Sequence, residues 1–433
     1  MRHDDVGRRV PLRALMPVPS LPSNPPAPPT ATTSAASAWP VTLWLGLVVA
    51  AGSASAAVVQ VLAPAIAEDL DLRGGFVGWY TSGIWLSMIF LSSSVGGLMA
   101  RYGGWRLSQA CLVLCALGLA CATTGTATGL ACAAILIGLA HGLEGPVSSQ
   151  LLVQHVPAAR RPLLFSVKQS GVQLGAVAAS SSLPVIAVLA GWQWACASVI
   201  VVLVASTLWL QRAHRVHGAA EGPVVQRIGA LEALRRMVRS RDLLRLALAS
   251  AAFAGTQVCL SSWFSTWAVR ERGLSLVDAG RLLAAAQIGG LVGRILWGWV
   301  ATRTERASAL LRMLGVVMTA CGLLLGTMGA NLPLIVLYPL VACFGLTVAG
   351  WNGVFLAEVA RRAGPQEVAS ATGAVMVVMT AGLVLGPLVF GLLGSALSYG
   401  SAYALMALLT LAGALVLPVK SGRRAEGLRT PSA

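Results

Sequence analysis

Between Trp39 and Pro418 the sequence runs as a series of apolar stretches, each about twenty residues long and separated by short polar connections. A chain crossing the ~30 Å hydrocarbon layer must bond its own N–H and C=O groups, so each ~20-residue apolar run has to become a helix. Only 11% of the residues are charged and 56% are hydrophobic, whereas a soluble domain carries roughly 25% charged residues. The expected fold is an all-α membrane protein with twelve transmembrane helices. They are placed at 40–63, 76–99, 106–126, 130–154, 163–189, 192–211, 244–269, 280–301, 308–329, 333–359, 368–393 and 397–418.

Residues 1–38 hold four arginines and eight prolines, a composition that cannot bury a core and reads as a disordered tail. The polar stretch 212–243, with an amphipathic Leu231–Arg236 segment, divides the spans six and six. The organisation expected is thus a tail (1–38), an N-terminal six-helix bundle (39–211), a basic linker (212–243), a C-terminal six-helix bundle (244–418) and a second tail (419–433). Placing both termini in the cytoplasm puts 25 of the 31 basic residues on that side. Four (Arg73, Arg270, Arg272, Arg281) fall outside, among five acids. That is the positive-inside pattern, and it leaves Lys168 and Arg294 within the membrane.

The net charge of +16 is therefore topological. It forms no basic stripe with interleaved aromatics, so no nucleic-acid partner is expected. The eight cysteines fall inside apolar runs without Cys-x-x-Cys or metal-ligand spacing and read as small buried hydrophobes. No phosphate-cradling loop, zinc-helix or nucleophile-elbow motif is present. We expect no enzyme, no cofactor and no metal.

The halves echo one another where Gly96-Gly97-Leu98-Met99-Ala100-Arg101 aligns with Gly298-Trp299-Val300-Ala301-Thr302-Arg303. Six plus six spans, a basic middle loop and this repeated turn resemble the major facilitator superfamily. That resemblance implies two pseudo-symmetric six-helix bundles, with one chain forming a complete, monomeric transport unit. The family's turn is Gly-x-x-x-Asp-Arg-x-Gly followed by basic residues. Here Gly96, Arg101, Gly103 and Arg106 in the first half, and Gly298 and Arg303 in the second, match it as the gate motif. Its aspartate is replaced by Ala100 and Thr302. The segments Phe165–Gly175 and Gly350–Glu358 resemble bacterial uptake-type facilitators, including cyanate-transporter-like branches.

Arg294 is costly inside a span unless it pairs, snorkels or faces a polar cavity, and it stands about 13 Å of helix from Arg303. Arg294-Ile295-Leu296-Trp297-Gly298 resembles monocarboxylate- and oxalate-type facilitators, in which such an eighth-span arginine binds the substrate carboxylate. Pairing with backbone carbonyls or Glu358 is the alternative. Lys168, flanked by Gln169 and Gln173, either lines the cavity as a second cation or snorkels to the headgroups. Glu144, taken out of water one helical turn after His141, is a candidate proton carrier. It could instead pair with His141 or neutralise Lys168. Gln60, Gln173, Gln257, Gln287 and Asn352, with Trp351, complete the candidate substrate-binding set, because an amide inside a span needs a hydrogen-bond partner. Gln287 shares a helix face with Arg294. Gly382–Pro387 reads as a close-packing face.

The function expected is alternating-access transport of a small organic or inorganic anion, coupled to protons, in the cell (inner) membrane. Arg294 and Lys168 would act as ligands, and Glu144 with His141 as the coupling group. A drug or metabolite efflux antiporter is the rival within transport. A non-transporting receptor or assembly factor of the same fold is the rival outside it, suggested by the missing gate aspartates.

Overall fold

The computed structural model describes residues 35–72, 75–92, 94–157, 160–217, 235, 237–304, 306–363 and 368–418. Most of the two tails, Arg73 and the larger part of the linker, including Leu231–Leu234 and Arg236, lie outside the described residues.

Fifteen helices follow one another, and no strand occurs among the described residues. The N-terminal half holds α1 (Ala35–Val61), the short α2 (Ala63–Asp69), α3 (Phe76–Ser92), α4 (Val95–Tyr102), α5 (Gly104–Ala122), α6 (Ala127–His155), α7 (Arg161–Ala190) and α8 (Trp192–His217). The C-terminal half holds α9 (Arg241–Arg270), α10 (Leu276–Arg303), α11 (Ala307–Met328), α12 (Leu334–Val348), α13 (Trp351–Ala363), α14 (Val368–Ala396) and α15 (Tyr399–Val416). Eleven stretches are long and apolar enough to cross a membrane, with Leu334–Ala363 as one; the twelfth is α3 with α4, which are bent by 64° to each other. The twelve expected spans are all present.

Local chemistry sets the ends. The side chains of Thr126, Ser240, Ser275 and Ser398 accept a backbone N–H in the first turns of α6, α9, α10 and α15, satisfying donors that a helix start leaves free. Gly103, at φ 76°, turns the chain between α4 and α5, where a side chain would be strained. Three expectations need correction. Helix α1 begins inside the expected tail at Ala35, and α8 continues past 211 to His217, because nothing in Arg212–His217 interrupts the carbonyl ladder. Nor are all the cysteines buried: Cys343 is exposed, and Cys121 and Cys132 are half-buried with their sulfurs 3.4 Å apart.

Helix pairing repeats between the halves. In the first, α1 packs on α7, α3 on α6 and α5 on α8; in the second, α9 packs on α14, α10 on α12 and α11 on α15. These pairs correspond span for span at an offset of six, which makes the two bundles pseudo-symmetric. The repeat reaches atomic detail: a β-carbon at Gly175 of α7 would stand 2.1 Å from the Ala50 carbonyl oxygen of α1, and one at Gly382 of α14 would stand 2.1 Å from that of Ala251 in α9. Small residues bring membrane helices this close because no hydrophobic drive exists between them. Gly382–Pro387 is thus a packing face, with the Pro387 carbonyl also accepting from Trp263 at 3.2 Å.

The halves meet along α7 against α10 and α3 against α14. Their close contacts gather at one end, where Gly78 abuts the Pro387 carbonyl, Gly280 abuts Ser180 and Pro184, and Ser82 donates to the Val384 carbonyl. Toward the other end, which carries Arg101 and Arg303, a β-carbon at Gly97, Gly298, Gly353 or Gly373 would meet nothing within 4 Å. Further close contact between the halves comes midway, where a β-carbon at Gly290 of α10 would stand 2.4 Å from Gln173 Nε2 of α7.

Replacing Gly175 or Gly382 by Val should destabilise the protein by about 1–3 kcal/mol through overpacking. Gly97→Ala, which enters open space, should leave the melting temperature in detergent within a degree or two of wild type.

Candidate functional site: an amide network between a bridged cation and an unpaired one

Helices α7 and α10 are the lateral hinge between the halves, and their polar residues meet there. Gln173 of α7 donates its Nε2–H to Gln287 Oε1 of α10 at 3.3 Å, and Gln287 donates to Ser261 Oγ of α9 at 3.4 Å. One turn back on α9, Gln257 Oε1 accepts from Trp351 Nε1 and Asn352 Nδ2 of α13, both at 3.2 Å. These are two clusters, one joining α7, α10 and α9 and the other α9 and α13, linked only where Ser261 Oγ donates to the Gln257 backbone carbonyl at 3.3 Å, and each satisfies uncharged polar groups withdrawn from water. Gln60 is not part of it: it donates to Thr81 at 3.4 Å, tying α1 to α3 near their far ends.

Arg294 lies seven residues beyond Gln287, which is about 20° away around α10 and ~10 Å along it toward the arginine end. It therefore projects on the face that α10 turns to α7. The residue is half-buried, and its Nε is buried without a hydrogen-bond partner among the described residues. Glu358 does not serve it. That carboxylate, 0% exposed, binds Arg361 at 2.7 Å and Arg362 at 2.6 Å and accepts from Ser308, while Arg362 also pairs with Asp242. A guanidinium at membrane depth costs about 2.5–3.5 kcal/mol on insertion scales, and among the described residues no side chain is bonded to this Nε.

Lys168 is only 2% exposed and turns into the N-terminal half. Its Nζ donates to Ser148 Oγ of α6 at 2.8 Å and approaches Ser149 Oγ at 3.5 Å, and Ser148 Oγ donates to Glu144 Oε1 at 2.9 Å. Lys168 thus neither snorkels nor stands open beside Arg294; its charge meets that of Glu144 through a hydroxyl. His141 is not bonded to Glu144. Its ring lies beside Gly52 of α1, with Nε2 buried and unpartnered among the described residues.

The gate residues sit at the arginine end. Gly96 lies on α4, Gly103 makes the turn, and Arg106 is exposed in the first turn of α5. Arg101 lies 5.2 Å over the Tyr102 ring and Arg303 4.1 Å over Trp299. Neither arginine meets a carboxylate among the described residues, in keeping with Ala100 and Thr302 standing where the family has aspartate. A groove of about 350 Å³ along α11, lined by Ser308, Arg312, Met313, Val316 and Pro418, shares only Ser308 with the residues above and includes none of the sequence-predicted site residues.

Sequence reasoning missed Ser148, Ser261 and the Glu358 cluster. Ser148 stands four residues after Glu144, and Arg362 four after Glu358, so half of each contact was visible in helical spacing. Asp242 and Ser308, which come from distant helices, gave no such signal. Removing the Glu358 carboxylate should strand Arg362, 7% exposed, without its buried counter-charge. Glu358→Ala is expected to cost about 3–5 kcal/mol, read as a large fall in melting temperature, with Glu358→Asp losing less.

The comparisons with known proteins agree with this geometry. The family model described as Major Facilitator Superfamily matches residues 43–380. Over 333 residues the chain is 25% identical to the gallate transporter of Pseudomonas putida, covering 68% of this chain and 72% of that protein. Over 188 residues it is 28% identical to the D-galactonate transporter of Escherichia coli O6:H1, covering 42% of this chain and 43% of that protein. Solved structures share the fold at low identity. A bacterial homologue of the human lysosomal transporter Spinster, inward-facing and unoccupied, superposes with TM-score 0.68 at 15% identity over 89% of this chain and 95% of that one. A peptide transporter, POT, gives TM-score 0.72 at 14% identity over 87% and 92%. With its helix pairing, its match over most of its length and its transporter relatives, the chain belongs to the Major Facilitator Superfamily and is a multi-pass secondary transporter, not an enzyme.

Proposed function

We propose that this transporter carries a small organic anion across the cytoplasmic (inner) membrane together with protons, one chain acting as the complete unit. The observation that carries the reading is Arg294, half-buried on the face of α10 that packs on α7, with no carboxylate bonded to it among the described residues. A guanidinium so placed offers a planar, bidentate fork to a carboxylate, and the amides of Gln257, Gln287, Gln173 and Asn352 stand on neighbouring helices to orient the rest of the molecule. The two named relatives, gallate and D-galactonate transporters, are named for carboxylates.

The positive-inside rule puts the arginine end, and with it both termini, in the cytoplasm. The close contacts of Gly78, Gly280 and Ser82 between the halves at the far end suit a state open to the cytoplasm, and rocking one bundle against the other would expose Arg294 to the opposite side. Glu144, with His141 one turn away, is the group placed to take up a proton. A cation exporter would need that carboxylate bare toward the cavity, whereas Ser148 bonds it at 2.9 Å and links it to a lysine.

Uptake by proteoliposomes with an imposed inward proton gradient tests this, with gallate, D-galactonate and simple monocarboxylates as substrates. Arg294→Gln should lower uptake at least 30- to 100-fold while keeping the melting temperature, the loss expected when a charge-assisted bidentate contact worth about 2–3 kcal/mol disappears. Arg294→Lys should recover part of it. Undiminished anion uptake by Arg294→Gln, or uptake of lipophilic cations only, would overturn the proposal.

A further inference from the structure

We infer that Ser148 is the coupling element of this transporter: its hydroxyl holds the charge of Lys168 against Glu144 until a proton on Glu144 releases that charge to the incoming anion. The inference rests on the anion–proton reading above and deepens it.

A serine hydroxyl has one proton to donate and two lone pairs to accept with. Ser148, 1% exposed, uses both functions: it accepts from Lys168 Nζ at 2.8 Å and donates to Glu144 Oε1 at 2.9 Å. A second acceptor for its proton, the Gly145 carbonyl, stands 3.3 Å away. With Glu144 ionised, the proton of Ser148 points at the carboxylate, and the cluster of ammonium, hydroxyl and carboxylate is neutral. When Glu144 takes a proton from water, its new O–H can donate to Ser148, whose own proton turns to Gly145. No other bond changes, and the cluster goes from neutral to +1.

A buried cation that has lost its counter-charge is costly until another anion arrives. Lys168 precedes Gln173 by five residues and Arg294 follows Gln287 by seven. Because these two glutamines touch, both cations lie toward the arginine end of that contact, by ~7.5 Å and ~10 Å of helix. An anion seated on Arg294 is then at nearly the same depth as Lys168, whose freed charge acts on it through space. Proton and anion each strengthen the binding of the other, by the same factor. Lys168, being buried, acts through its charge and Ser148 through position; neither needs to touch the substrate.

Few other groups could titrate here. Around Glu144 stand His141 on its own helix, Lys168 on α7, and the thiols of Cys111 and Cys115 on α5. The helices α3 and α4 contribute only Tyr80, Arg101 and Tyr102, and α1 has no ionisable side chain.

The test is the affinity of the full-length protein in detergent for gallate and D-galactonate, measured calorimetrically from pH 5 to 9. In wild type, one proton taken up per anion makes binding weaken about tenfold per pH unit over part of that range. Glu144→Gln, fixed in the neutral form, should bind with wild-type low-pH affinity at every pH. Ser148→Ala should flatten the profile to less than about threefold overall, Ser148→Thr should restore it, and His141→Asn should leave it unchanged. A merely structural Ser148 would shift the whole profile without altering its slope. A wild-type slope in Ser148→Ala, failure of a folded Ser148→Thr to restore it, or loss of the slope in His141→Asn would each overturn the inference. Should Ser148→Ala fail to fold, Glu144→Gln and Ser148→Thr carry the same comparison. Binding of neither anion by wild type at any pH is a different failure, which removes the anion reading itself.

Discussion

Burying a charge away from water is the constraint around which the interior of this protein is arranged. Each charged side chain placed deep in a helix costs several kcal/mol unless something answers it, and four such side chains meet three different environments. Glu358 is surrounded by Arg361, Arg362 and Ser308 and linked onward to Asp242, which joins α13, α11 and α9 at the arginine end. Glu144 and Lys168 are joined through one hydroxyl. Arg294 is not answered at all within the described residues. The first arrangement is a brace, the second is the one proposed to change state when a proton arrives, and the third is the proposed ligand site.

The close helix pairs make those arrangements possible. Gly171 and Gly175 bring α7 against the backbone of α1, which holds Lys168 on the side of α7 that faces α6. The pair α9 and α14 repeats the device through Gly382 and Gly386, which fixes Gln257 and Ser261 relative to α10 and α13. Rigid pairs within each half and polar contacts between halves are a combination suited to rocking. The hydrogen bond from the Gln173 amide to the Gln287 amide, at 3.3 Å, is a neutral contact that can break and reform without exposing a charge.

The number and type of helices were legible because run length and hydropathy alone decide whether a segment can span a bilayer. Boundaries were less so: Ala35–Ala38 and Arg212–His217 are helical although their composition resembles that of the neighbouring tail and linker. The break between α3 and α4 leaves no mark stronger than a run of serines. Candidate site residues were legible by type only. Gln60 and Gln173 are equally conspicuous amides in apolar runs, yet Gln60 spends its bond on Thr81 while Gln173 reaches across the halves. A sequence shows that such a group needs a partner and not which helix supplies it. For the same reason Lys168 and Arg294, equivalent as isolated cations in spans, turned out to be opposites.

That difference divides the chemistry between the halves. The titratable cluster of Glu144, Ser148 and Lys168 belongs wholly to the N-terminal bundle, whereas Arg294 and most of the amides belong to the C-terminal one. In the proposed mechanism neither bundle alone holds both the proton site and the anion site. The free energy linking them is electrostatic and falls with their separation and with the water between them, so it is largest when the bundles close around an occupied site and smallest when the cavity is open. Under the proposed reading, a proton and an anion bound in that way are taken up and released together, and the missing gate aspartates at positions 100 and 302 need not be replaced for the two to remain coupled.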